Sequence, residues 1–170
     1  QLASGFNWFG QGSILGIPVP VWLLALCTVG IWVILNRTRF GRHVYAIGGN
    51  DQAARVSGIS ISKAHFYIYT LIGLLAGLGG IILAGRIGSG NPQLGTMLEL
   101  DVITATVIGG TSFKGGIGTV WGVIVGALII GVINNGMNLM NVSSFYQQIV
   151  KGGVILAALL IDRALSRRTS

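Results

Sequence analysis

The sequence predicts an all-α protein, a polytopic transmembrane helical bundle with about five membrane segments, one of them short or broken. Three observations carry this. Hydrophobic residues make up 52% of the 170 positions and charged residues only 9%, with a mean hydropathy of +0.76, whereas an average soluble domain is roughly 25% charged. The apolar residues fall in runs separated by polar breaks, several of them close to the ~20 residues a helix needs to cross a hydrocarbon core. The net charge of +7 is gathered in a few of those breaks, the pattern left when Lys and Arg are retained on the cytoplasmic side of a membrane. That placement argues against a nucleic-acid surface.

Residues 1–16 are uncharged and rich in Gly, Asn, Ser and aromatics, and Phe6, Trp8 and Phe9 suit a headgroup layer. Neither an initiator Met nor a signal-peptide pattern opens the chain, so it reads as beginning inside a larger protein. Residues 17–35, IPVPVWLLALCTVGIWVIL, form the first spanning helix, with Pro18 and Pro20 at its start, where a missing backbone N–H costs least. The single cysteine, Cys27, lies inside this run. One thiol excludes an intrachain disulfide and a cysteine metal cluster, and reads as a buried structural group.

Residues 36–62, NRTRFGRHVYAIGGNDQAARVSGISIS, are the one long polar, cationic stretch, with Arg37, Arg39, Arg42 and Arg55 inside it and Lys63 just beyond. Arg37, Arg39 and Arg42 suffice to fix orientation. The piece from Asn50 to Gly58 has its own helix grammar: Asn50 as N-cap, Asp51 in the first turn, Ala53, Ala54 and Arg55 as good formers, Ser57, and Gly58 as the stop. A helix so short is marginal alone, so contacts must hold it. Its size and polarity fit a projecting knob that docks on a cytoplasmic partner.

Ser62 is placed to cap the second spanning helix, residues 66–84, in which Gly73, Gly77, Gly80 and Ala84 repeat the small-xxx-small spacing of close helix packing. Residues 86–95 read as a turn-rich loop. Thr96 and Glu99 match a capping box, and residues 100–108 are too short to span and carry Asp101. A short, broken or re-entrant helix lining a cavity is the expectation, because irregular backbone at membrane depth must be covered by protein or water. Residues 109–118, GGTSFKGGIG, resemble a phosphate loop only superficially, since Gly rather than Ser or Thr follows Lys114; they read as a flexible glycine turn.

Residues 119–139 make the fourth membrane segment, with Gly118, Gly122 and Gly126 as a packing stripe and Asn134, Asn135 and Asn138 towards its far end. Those amides either satisfy neighbouring backbone or face a hydrophilic pathway. Ser144 and Gln147 match a second capping box, opening a fifth segment over residues 147–161, and Asp162, Arg163, Arg167 and Arg168 follow. With the C-terminus inside and five crossings, nine cations (Arg37, Arg39, Arg42, Arg55, Lys63, Lys114, Arg163, Arg167, Arg168) lie inside and two (Arg86, Lys151) near the outer side. The asymmetry supports that orientation.

His43 and His65 lack carboxylates at ligand spacing, so no metal site is expected. Four acidic residues and two histidines assemble no catalytic constellation, and no cofactor is implied. A secondary transporter or channel would need a coupling-ion or selectivity site, for which Asp101 alone is thin support.

Several ordered motifs carry a resemblance over nearly the whole chain: TRFGRHVYAIGGNDQAARVSGISISK before a glycine-rich helix, then GSGNPQLGTMLELDVITATVIGGTSFKGGIGTVWG, then NVSSFYQQIVKGGVIL. The chain resembles the permease subunit of bacterial ABC importers for ribose and related monosaccharides, with related permeases for branched-chain amino acids or nucleosides as the alternative. The resemblance implies a component of the bacterial inner membrane that moves a sugar by alternating access, binds no nucleotide itself, and works with a second permease subunit in a homodimer, a cytoplasmic ATP-binding subunit and a periplasmic sugar-binding protein. It further implies that residues 1–170 are the C-terminal half of a permease domain, that residues 36–63 form its cytoplasmic coupling loop, and that Asn50 to Gly58 is the coupling helix. A neutral sugar requires hydrogen-bonding groups without a counter-charge, and Asp101, Thr104, Thr106, Asn134, Asn135 and Asn138 supply the polarity near the membrane interior.

Overall fold

The computed structural model describes residues 4–90 and 95–166. Among them the chain is helical apart from one hairpin of two-residue strands and the turns that join the helices. In order it forms α1 (Ser4–Gln11), β1 (Ser13–Ile14), β2 (Ile17–Pro18), α2 (Val19–Arg37), α3 (Arg39–Gly49), α4 (Asp51–Val56), α5 (Ile61–Ile87), α6 (Leu98–Ile108), α7 (Val120–Leu139) and α8 (Ser144–Ser166). The elements divide into two compact units, Gln1–Val44 with Asp51–Thr96, and Tyr45–Asn50 with Met97–Ser170.

Among the described residues α2, α5 and α7 are long and apolar enough to cross a membrane. The 11 residues of α6 rise only about 16 Å, half of a ~30 Å hydrocarbon core, so the third segment is short, as its sequence implies. The 23-residue α8 has sufficient length but carries Lys151 in its second turn. The side chains of Phe6, Asp162, Arg163, Arg167 and Arg168 lie outside the described residues, as does 91–94 of the loop after α5.

In the first unit, the antiparallel hairpin pairs Ser13 with Pro18 and Ile14 with Ile17, which the sequence did not signal. It delivers the chain into α2, whose Pro18 N-cap and Pro20 occupy positions that need no N–H donor. Helix α1 packs on the far end of α5, where Gln11 Nε2 donates to the Arg86 carbonyl at 3.1 Å. That bond satisfies one of the carbonyls a helix end leaves orphaned.

Thr38 turns the chain between α2 and α3. Its hydroxyl donates to the Ile34 carbonyl at 2.6 Å and accepts from the Gly41 N–H at 3.3 Å, ending one helix and capping the next. The segment from Arg39 to Gly49, inside the expected coupling loop, is an amphipathic helix: Arg39, Arg42 and His43 are exposed, while Phe40, Val44 and Ile47 are partly buried.

In the second unit, α6 packs against both α7 and α8. The glycine stripe of α7 serves this contact. A side chain at Gly126 would collide with the Ala105 carbonyl of α6, and one at Gly122 with that of Gly109, so the helices meet backbone to backbone. Thr119 caps α7, accepting from the Gly122 N–H at 3.1 Å. The 109–118 turn is pinned by Ser112 N–H donating to Ile117 O at 3.0 Å and by the Tyr45 hydroxyl donating to Gly118 O at 2.9 Å.

Three expected caps do not form. Helix α5 begins at Ile61 after Ser60, so Ser62 falls inside its first turn, and Ser60 makes no side-chain capping bond. Met97 adopts a left-handed conformation (φ 66°) and α6 starts at Leu98, which moves Glu99 to the second helical position, out of capping-box register with Thr96. Helix α8 begins at Ser144 itself, and the Gln147 amide turns back to Val142 O and Asn138 Oδ1, both at 2.9 Å. The α5 stripe also differs from expectation: a side chain at Gly73, Gly77 or Gly80 would meet nothing within 4 Å, so none of the described residues packs there.

A Gly126→Val substitution is expected to cost at least the about 1–3 kcal/mol of an overpacked contact, read as a lower unfolding temperature in detergent. Gly131→Ala, where a Cβ meets open space, should leave that temperature unchanged; equal effects at the two positions would refute the packing assignment.

Candidate functional site

Two groups of residues carry functional potential, one in each unit. The first is α4. Asn50 immediately precedes it and Asp51 opens it, the favoured sign of charge at a helix N-terminus. At its other end Gly58 N–H donates to Arg55 O at 3.0 Å and Ile59 N–H to Ala54 O at 3.1 Å, with Gly58 at φ +83°. This is a complete Schellman stop, and only glycine enters that left-handed conformation without penalty. Ser57 adds a bond from its hydroxyl to Ala53 O at 2.9 Å.

The faces of α4 differ. Ala54 is 4% exposed, whereas Asp51, Gln52, Ala53 and Arg55 are exposed and Val56 is 90% exposed; the helix also touches α5. Ala54, one of the expected docking residues, is therefore buried, and the exposed face of the helix carries Asp51, Gln52, Arg55 and Val56. Val56 escaped sequence reasoning because nothing local distinguishes an outward valine from an inward one.

The second group is a polar cluster where α6, α7 and α8 meet. Lys151 Nζ stands 2.6 Å from Asp101 Oδ1, with side chains 13% and 22% exposed respectively. Asn134 Nδ2 donates to Asp101 Oδ2 at 3.2 Å. That bond fixes the amide, because the flipped form would set its oxygen against the carboxylate. Asn134 Oδ1 is left buried without a hydrogen-bond partner. A turn further along α7, Asn138 Oδ1 accepts from Gln147 Nε2, and Asn135 is exposed.

The structure therefore brings Asp101 and Asn134 together and sets Asn138 nearby on the same helix. It does not bring Thr104 to a surface: that residue is 0% exposed and its hydroxyl donates to Leu100 O at 2.5 Å. Thr106, partly buried, likewise donates within α6, to Ile103 O at 2.8 Å. Lys151 and Gln147 belong to the cluster although the sequence reading assigned neither to it. The available signal was Asp101 itself, since a carboxylate among apolar helices requires a partner and Lys151 is the cation embedded in the last apolar run. Among the described residues no group of His, Cys, Asp and Glu is arranged to hold a metal ion.

Residues 1–159 match the family described as branched-chain amino acid transport system / permease component. The chain is 52% identical over 160 residues to the ribose import permease protein of Escherichia coli (strain K12), covering 94% of this chain and 50% of the relative. It is 53% identical over 162 residues to the ribose import permease protein of Bacillus subtilis (strain 168), covering 95% and 50%. With the xylose transport system permease protein of E. coli (strain K12) the identity is 46% over 154 residues, covering 91% and 39%. The chain spans about half the length of the ribose permeases it matches. No solved structure matches it.

Removing one member of the ion pair leaves the other charge unpaired, so Lys151→Met is expected to destabilise the protein by about 3 kcal/mol. Lys151→Met combined with Asp101→Leu should recover most of that loss in thermal unfolding. Additive losses in the double variant would show that the two charges are not coupled.

Proposed function

The chain belongs to the branched-chain amino acid transport system / permease component family, and from that premise we propose that it is the C-terminal half of the transmembrane permease of an ATP-driven monosaccharide importer. Its place is the bacterial inner membrane, multi-pass, with the C-terminus cytoplasmic. The single observation that carries the reading is α4, a surface helix closed by a Schellman stop, whose outward face of Asp51, Gln52, Arg55 and Val56 is exposed. A positive-inside loop needs charge alone; it needs neither a Schellman stop nor an exposed valine.

In this mechanism residues 36–63 are the cytoplasmic coupling loop, and α4 with its flanking residues, from Asn50 to Gly58, is the coupling helix that docks on a separate ATP-binding subunit. Closure of that subunit on ATP pushes α4. Asn50 links α4 directly to α3, and Ser57 to Ser60 link it directly to α5, so the push reaches α2 and α5 as a tilt that alternates outward and inward access. The permease works as a homodimer and receives its solute from a periplasmic binding protein.

The solute pathway is proposed to use Asp101, Asn134, Asn135 and Asn138, with Thr104 as packing behind them. Lys151 and Asp101 neutralise one another, so the cluster presents hydrogen-bonding groups without net charge. That suits a neutral polyol better than a zwitterionic amino acid, which needs two charge partners. The buried Asn134 Oδ1 is an acceptor that a sugar hydroxyl can satisfy, relieving the about 1–3 kcal/mol cost of an unmade hydrogen bond. Pairing with Lys151 also occupies the carboxylate a secondary transporter would need for a coupling ion.

Arg55→Glu with Val56→Glu, placed on the exposed face of α4, is expected to abolish ATP-dependent sugar uptake while membrane insertion stays intact; wild-type uptake would sink the docking assignment. Uptake that persists without the ATP-binding subunit, driven by a proton or sodium gradient, would instead establish a secondary transporter. Asn134→Leu should lower uptake with the insertion level and ATPase coupling unchanged, and an unaltered transport rate would remove Asn134 from the pathway.

A further inference from the structure

A groove of about 430 Å³ opens between the end of α2, the start of α3 and one face of α5, lined by Ile34, Phe40, Tyr67, Thr70, Leu71 and Leu74. We propose that it holds an acyl chain of an anionic phospholipid, whose phosphate sits between Arg37 and Lys63. The helical register places these cations at the rim. Lys63 is one turn before Tyr67 and Arg37 one turn beyond Ile34, on the same faces as the groove lining and about 5–6 Å away.

The axial order of groups matches that of a lipid. Helix α5, with 27 residues, rises about 40 Å, roughly 10 Å more than the hydrocarbon core, so one end projects into the headgroup layer. Tyr67 and Tyr69 are exposed near the α2–α3 end, as the aromatic belt of a membrane interface requires. Tyr67 meets Phe40 edge to face at 6.3 Å and forms one wall. Beyond this level, towards water, stand Lys63 and Arg37; in the other direction lie Leu71 and Leu74. The Thr70 hydroxyl is turned to the Phe66 carbonyl at 2.8 Å, which leaves the wall apolar.

Charge complementarity selects an anionic headgroup. Arg37 is held over the Trp32 ring at 5.8 Å, and both Arg37 and Lys63 are exposed. The ion pair found among the described residues is that of Lys151 and Asp101, so neither rim cation is neutralised by a carboxylate.

The test is native mass spectrometry of the protein released from nanodiscs of phosphatidylglycerol and phosphatidylcholine mixed in equal parts. One phosphatidylglycerol per chain is expected to be retained in preference to phosphatidylcholine. Arg37→Gln and Lys63→Gln should each reduce that preference by about fivefold, and Leu74→Trp, which fills the groove, should release the lipid altogether. Arg86→Gln, a cation at the other end of α5, should change nothing and controls for general charge loss. Equal retention of the two lipids, an unchanged preference in Arg37→Gln and Lys63→Gln, or crosslinks from a photoreactive residue at position 74 to polypeptide in place of lipid would each overturn the proposal.

Discussion

A backbone group released from a helix needs another hydrogen-bond partner, and hydrocarbon offers none; this constraint runs through the helix ends among the described residues. The turns are closed by side chains and glycines that satisfy the freed groups locally. Thr38 serves both the Ile34 carbonyl and the Gly41 N–H, Thr119 caps the Gly122 N–H, and Gly58 completes the stop of α4. Threonines inside helices do likewise: Thr70 and Thr104 return their hydroxyls to carbonyls one turn back. Polar residues that look like candidate ligands in the sequence are thus partly consumed by the helices that carry them.

What remains polar and unspent is informative. Helix α6 is too short to cross alone, and it is held by two different devices. Against α7 the contact is steric, with Gly122 and Gly126 letting backbones approach the carbonyls of Gly109 and Ala105. Towards α8 it is electrostatic, with Asp101 reaching Lys151. Asn134 joins the two by donating to the same carboxylate. A short helix pinned on both sides presents its acidic end at a defined position, with a neutral set of hydrogen-bonding groups around it.

Helix α4 illustrates how far local sequence reaches. Its start at Asp51 and its stop at Gly58 follow from residue types, because Schellman geometry depends on a few adjacent residues. Its exposed face does not. Ala54 and Val56 are both apolar, yet one is buried and the other exposed, and only the tertiary surroundings of the helix separate them. The preceding helix, α3, is legible in the sequence too: Phe40, Val44 and Ile47 repeat at helical spacing, with Arg42 and His43 between them. The two capping boxes had the right residues at the right separation. They fail because Met97 enters the left-handed region and because α8 begins at Ser144 itself, with the Gln147 amide turned to Asn138 and Val142.

By itself the sequence determined the fold class, the apolar segments and the glycine contact on α7. These depend on one-dimensional quantities: the length of an apolar run against the thickness of a bilayer, and the four-residue spacing of small side chains. Tertiary structure alone decided which polar groups meet. Asp101, Asn134 and Lys151 lie on three separate helices and are joined by the need to pair a carboxylate among apolar neighbours. The opposite holds for Thr104, whose polarity is plain in the sequence and whose burial is settled by the packing of α6. Pairing is a property of distance in space, and the one-dimensional pattern carries only the demand for it.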